Sequence, residues 1–100
     1  MNNDQFSLNS KTILISGAAG KLAKTFIQDF LNRGGRVLGL DIIEEPDHIK
    51  DIGKKFSYKI LYFNCDITNK DSIKEVFNQA KNKNFLPNVL INNAAAGQVN

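Results

Sequence analysis

Apolar residues along this chain come in short runs separated by segments of helical periodicity. "KTILIS", Lys11 to Ser16, is a compact β-branched run stopped by Gly17, which is the pattern of a strand buried on both faces. From Lys21 to Arg33 the apolar residues Leu22, Phe26, Ile27, Phe30 and Leu31 fall on one helical face, with Lys24, Gln28, Asp29 and Asn32 opposite. "RGG", Arg33 to Gly35, supplies a helix stop. "RVLGLD" repeats the strand pattern and ends on a carboxylate, Asp41. Pro46 suits the first turn of a second helix, in which Ile49, Ile52 and Phe56 share a face although Gly53 interrupts it. "YKILYFNCD" reads as a third strand containing Tyr58 and Tyr62. Thr68 with Asp71 three residues later resembles a capping box, and Ile73, Val76, Phe77 and Ala80 form the apolar face of the helix that follows. After Asn84 and Pro87, "NVLINNAAAG" is a fourth strand running into a turn of small residues.

The order β-α-β-α-β-α-β predicts an α/β fold. It implies a parallel sheet of about four strands, right-handed crossovers and helices covering both faces. One hundred residues suffice for one small domain or for the first part of a larger one. Residues 1–9 read as a flexible polar leader and 10–100 as the folded unit. No apolar run approaches the roughly 20 residues of a membrane span, and the polar start has no signal-peptide core, so the expected compartment is the cytoplasm. The net charge of +3 comes from scattered lysines rather than a basic block, which argues against nucleic acid as a partner. The single cysteine, Cys65, permits no internal disulfide, offers no zinc spacing and is expected to be a small buried residue. His48 is expected to be an exposed helix residue, and no metal site is expected.

The turn between the first strand and its helix carries the candidate chemistry. A helix N-terminus presents unpaired backbone N–H groups and the positive end of its dipole, so it attracts phosphate. Glycine lets the backbone turn tightly and approach that phosphate closely. Gly17 and Gly20 stand where both demands meet, with Ala19, Lys21 and Leu22 around them. A P-loop fails at two positions, because Leu22 follows the Gly20-Lys21 pair where Ser or Thr is needed and Ile15 stands where the first glycine belongs. A dinucleotide loop predicts a carboxylate about 20 residues on, at the end of the second strand, bound to a ribose 2′-hydroxyl. Asp41 is there, followed by Ile42, and its charge repels a 2′-phosphate. The expected cofactor is therefore NAD rather than NADP, with Lys21 partly offsetting the acid. Taken alone, Asp41 also fits a solvated loop acid or a helix cap.

With these residues in view, the chain resembles the N-terminal half of a short-chain dehydrogenase/reductase, from Phe6 to about Gly97. "FSLNSKTILISGAAGKLA" is similar to that family's entry strand and Thr-Gly-x-x-x-Gly-x-Gly turn, "CDIT" to its Asp-Val/Ile-Thr segment, and "LINNAAAG" to its Asn-Asn-Ala-Gly motif. The resemblance implies a Rossmann-type three-layer fold, incomplete at its C-terminus. Ser16 stands for the usual threonine, Gly17 for the first glycine and Gly20 for the second in the extended branch. Ala23 replaces the last glycine, and Lys21 stands where the classical branch has its middle one. Asp66 and Ile67 match the adenine-contacting pair, while Asn92, Asn93, Ala94 and Ala95 match the turn that passes beside the cofactor ribose. Asn92 and Asn93 also fit local turn bonding at a strand end.

The family's chemistry is hydride transfer between nicotinamide and a hydroxyl or carbonyl group. It relies on a serine and a Tyr-x-x-x-Lys pair that follow the Asn-Asn-Ala-Gly turn. Neither Tyr58 nor Tyr62 has lysine four residues on, so no catalytic residue is assigned. The implied partners are a dinucleotide, a small alcohol, ketone or sugar, and further copies of the chain in a dimer or tetramer. A segment ending after its fourth strand exposes that strand as an edge, so in isolation it is expected to be marginally stable. Two alternatives stand beside the NAD-dependent oxidoreductase: a module that binds a dinucleotide without turnover, and an extended-branch nucleotide-sugar epimerase or dehydratase.

Overall fold

The computed structural model describes residues 7–93. Four parallel strands, β1 (Thr12–Ser16), β2 (Arg36–Asp41), β3 (Ile60–Asn64) and β4 (Val89–Ile91), form one sheet in the order β3-β2-β1-β4. Three helices connect them: α1 (Lys21–Asn32), α2 (Asp47–Lys55) and α3 (Lys70–Asn82). The arrangement is the Rossmann-like α/β fold expected. The chain leaves β1 for its neighbour β2, passes outward to β3, and then returns through α3 to place β4 on the other side of β1. This reversal is the place where open α/β sheets form their ligand crevice, at the C-terminal ends of the strands.

Strand alternation divides the core into two layers. Ile15, Val37 and Ile60 pack with Ile27 and Leu31 of α1 and with Ile49 and Ile52 of α2. On the other face Leu14, Leu38 and Leu40 pack with Val76 and Ala80 of α3, with Cys65 and Phe85 completing that layer. Cys65 is buried, as its apolar character suggested.

Local details depart from the sequence reading in ways that packing explains. On α1 the buried stripe is Ala23, Ile27 and Leu31, whereas Leu22 is 57% exposed. Phe26 is exposed too, and its ring stacks on that of Phe30 with centroids 6.2 Å apart. The close approach of α1 to the sheet favours the smallest apolar residue, Ala23, over the larger ones beside it. Gly53 lies inside α2 without breaking it. Tyr58 is outside the third strand, in the turn before it with φ 59°. The N-cap of α3 is Asn69 rather than Thr68: Asn69 Oδ1 accepts from the Asp71 and Ser72 N–H groups, while the Thr68 hydroxyl donates back to Asp66. His48 is half-buried, with Nε2 shielded and no hydrogen-bond partner among the described residues.

The opposite edge of the sheet is stapled by residues far apart in sequence. Within the span read as a leader, the Leu8 N–H donates to the Arg33 carbonyl at 2.8 Å. The Asn88 side chain accepts from the Thr12 N–H at 2.9 Å, and the Arg36 guanidinium lies 3.9 Å from the centre of the Phe85 ring. Among the described residues no helix is long and apolar enough to cross a membrane.

Candidate functional site

The site grows from the end of β1. Gly17 turns the chain with φ 66°, a left-handed conformation that costs a residue with a Cβ roughly 1–2 kcal/mol. The Ala18 N–H then donates to the Leu40 carbonyl at 3.0 Å, which hangs the turn on β2. Gly39 of β2 makes this approach possible, since a Cβ there would sit 2.9 Å from that of Ala18. Gly20 closes the turn by donating its N–H to the Gly17 carbonyl at 3.1 Å and becomes the N-cap of α1. Among the described residues no side chain caps α1, and its first turn carries no acidic residue. Its outermost N–H groups and positive dipole end therefore face the strand-end crevice with no carboxylate of their own to neutralise them.

Asp41, at the end of β2, binds this turn directly. Its Oδ2 accepts from the Ala19 N–H at 2.9 Å and its Oδ1 from the Ile42 N–H at 2.7 Å, while its carbonyl accepts from Cys65 N–H at 2.7 Å. The carboxylate is held in one orientation, and a carboxylate's two oxygens offer about four lone-pair sites, so two remain for a ligand hydroxyl. Ile42 beside it is exposed. At the next strand end, Asp66 Oδ1 accepts from both the N–H and the hydroxyl of Thr68, at 2.9 and 2.6 Å. These bonds to the charged form hold its carboxyl below the ordinary value, the hydroxyl contributing most. Ile67 next to it is exposed.

Beyond β4 both asparagines bond across the sheet. The Ser16 hydroxyl donates to Asn92 Oδ1 at 3.1 Å, and buried Asn93 donates through Nδ2 to the Gly17 carbonyl at 3.3 Å. The pair ties the end of β4 to the glycine turn. Ala94 and Ala95 lie outside the described residues. Gly17, Ala19, Gly20, Asp41 and Asn93 are thus brought to one rim, with Lys21 and Leu22 exposed on the first turn of α1 and Asp66 two strands away.

Sequence inspection missed one participant. Tyr62 of β3 donates its hydroxyl to the Ile43 carbonyl at 2.6 Å. Burial, with the Asp41 and Glu45 carboxylates nearby, pushes its phenol up to about 12. Nothing local in the sequence signals this bond, since its partners are 19 residues apart.

A family model described as short chain dehydrogenase matches residues 11–100. The chain is 35% identical over 89 residues to a short chain dehydrogenase/reductase, dpfgG, of Gibberella zeae, a match covering 89% of this chain and 33% of that protein. Among solved structures it is similar to a short chain dehydrogenase from Leptospira borgpetersenii serovar Hardjo-bovis with bound NAD+. The TM-score is 0.72 at 29% identity, over 92% of this chain and 34% of that one. It is likewise similar to a hydroxysteroid dehydrogenase from Escherichia coli, with a TM-score of 0.78 at 25% identity over 91% of this chain and 39% of that one. The chain spans about a third of the length of the relatives it matches.

Proposed function

Since this chain belongs to the short chain dehydrogenase family, we propose that it forms the cofactor-binding part of an NAD-dependent oxidoreductase acting on a hydroxyl or carbonyl group. The observation that carries this reading is the uncapped N-terminus of α1, reached through a turn whose Gly17 is left-handed and whose Ala19 N–H is held by Asp41. A pyrophosphate is the group such a terminus lacks. The Leptospira relative, with its bound NAD+, supports the same assignment.

In this reading Gly17, Ala19, Gly20, Lys21 and Leu22 surround the pyrophosphate, Gly20 leaving the approach open. The free lone pairs of Asp41 take the hydroxyls of the adenosine ribose, with Ile42 against the base. Asp66 and Ile67 line the adenine, the carboxylate accepting its amino group. Asn93 belongs beside the second ribose, together with Ala94 and Ala95. Bound NAD supplies the hydride acceptor. The chain's own contribution is to bind and orient it and to reject a phosphorylated ribose. No residue of this chain is assigned the acid–base role: the Tyr62 hydroxyl is committed to Ile43, and Tyr58 lies in the turn before β3, at the opposite end of the strands.

Binding of NADH and NADPH, followed by nicotinamide fluorescence on the full-length protein, tests this. NADH is expected to bind more tightly, and Asp41→Ala to narrow the difference by about tenfold, the scale of one like-charge repulsion near a protein surface. Tighter binding of NADPH by the unmodified protein would overturn the choice of NAD. Failure to bind either dinucleotide would overturn the whole assignment.

A further inference from the structure

The link between β2 and α2, residues 42–46, is anchored unevenly. At its start Asp41 bonds the Ile42 N–H, and at its end the Pro46 carbonyl accepts from Ile49 and Lys50 at 3.0 and 3.2 Å as α2 begins. Its middle is tied by Tyr62, whose hydroxyl reaches the Ile43 carbonyl. Tyr62 stands opposite Gly39 in the β2–β3 register, and its ring lies 3.7 Å from where a Gly39 Cβ would be. Glycine at 39 therefore leaves room on this face for both the glycine turn and the tyrosine ring. Asp41 and Glu45 both lie within electrostatic reach of the phenol. One carboxylate at the end of β2 and one on the link thus act on a neutral donor that stays protonated well above physiological pH.

We propose that Tyr62 is a positioning residue for cofactor choice: by holding the Ile43 carbonyl it fixes the link that carries Glu45 next to the Asp41 carboxylate, where the ribose 2′ position is read. This rests on the assignment of Asp41 to the adenosine ribose. A link held at Ile43 cannot swing the Glu45 charge away from an incoming 2′-phosphate, whereas a loosened link can. The fixed geometry costs an unphosphorylated ribose nothing and spares it the ordering of the link on binding.

The test is a cycle of Tyr62→Phe, Glu45→Gln and the double variant in the full-length protein, with dissociation constants for NADH and NADPH and an unfolding midpoint for each. Tyr62→Phe keeps the ring and removes one hydrogen bond. It is expected to weaken NADH binding by about fivefold while NADPH changes less, so that the NADPH-to-NADH ratio narrows. Glu45→Gln should improve NADPH binding in the unmodified background and do less in the Tyr62→Phe background, because the two act through one link. Three results would overturn the proposal: an unchanged ratio, equal weakening of both cofactors with a lower unfolding midpoint, or strictly additive effects. If Asp41→Ala narrows the ratio and Tyr62→Phe does not, the Tyr62 inference fails alone. If neither does, the reading of Asp41 fails with it.

Discussion

At the start of α3, Asn69 Oδ1 accepts from the N–H groups of Asp71 and Ser72 at 2.9 and 3.0 Å, and Asp71 places a carboxylate in the first turn. At the start of α1 there is neither a capping side chain nor an acid, only Gly20 in an extended conformation. Both helices follow a strand and begin at the same edge of the sheet. One end is finished by its own side chains and the other is not. The α1 terminus lies beside the strand-order reversal, and it differs from that of α2, which also lacks a side-chain cap but carries Asp47 in its first turn. Asp41 sharpens the contrast. Its carboxylate takes the Ala19 N–H in the turn but leaves the first turn of α1 itself open.

The largest expected effect comes from giving α1 the finish that α3 has. Gly20→Asp suits the local backbone, φ −78° and ψ 166°, and a Cβ there would meet only the Gly17 carbonyl at 3.4 Å. The new carboxylate should raise stability by about 0.5–1 kcal/mol, a few tenths through capping, since glycine is itself an accepted cap, and the rest through the helix dipole. It should also weaken dinucleotide binding on the order of a hundredfold, since like charges about 4 Å apart near a protein surface repel by a few kcal/mol. Thermal unfolding and NADH titration of the full-length protein read the two signs separately. A stabilised variant that binds NADH normally would break the comparison.

Removing the cap of α3 should do the reverse on a smaller scale. Asn69→Ala is expected to cost about 1 kcal/mol of stability, measured by denaturant midpoint at constant slope, with NADH affinity unchanged within about twofold. Loss of affinity with little loss of stability would mean that the start of α3 belongs to the site.

The smallest effect concerns Asp66, just ahead of that cap. Its folded pKa lies below the ordinary value through the Thr68 hydroxyl and N–H. The stabilisation it brings is therefore present above the unfolded pKa and is lost as pH falls through the folded one. Thr68→Val removes the hydroxyl and should move the Asp66 carboxyl back toward the ordinary range without reaching it, because the backbone donor remains. A carbon-13 titration of the side-chain carboxyl measures this, and an unmoved pKa would assign the shift to the backbone alone.

Much of this was legible because it depends on residues close in sequence. "TILIS" and "RVLGLD" declare buried strands by composition, and Gly17 followed by Gly20 declares a turn into a helix. Asp41 was legible through spacing, since a strand, a helix and a second strand occupy a predictable length. The face of α1 was legible in part: Ile27, Phe30 and Leu31 pack on the core as expected, whereas Leu22 and Phe26 are exposed and Ala23 is buried in their stead. The α3 cap was misjudged by one residue because Thr68 and Asn69 are both good cap residues, and only the folded chain shows that Asn69 meets the helix N–H groups while the Thr68 side chain turns back to Asp66.

The sequence by itself determined the alternation of strands and helices, the glycine turn and the strand-end acid. Each rests on local periodicity or backbone sterics. Tertiary structure alone decided which groups meet across those elements: Ser16 with Asn92, Asn93 with the Gly17 carbonyl, Asp41 with the Ala19 N–H and Tyr62 with the Ile43 carbonyl. The first two pairs are 76 residues apart and become neighbours only because β4 returns to the free side of β1. A hydrogen bond requires placement within a few tenths of an ångström, and only the packed sheet provides that.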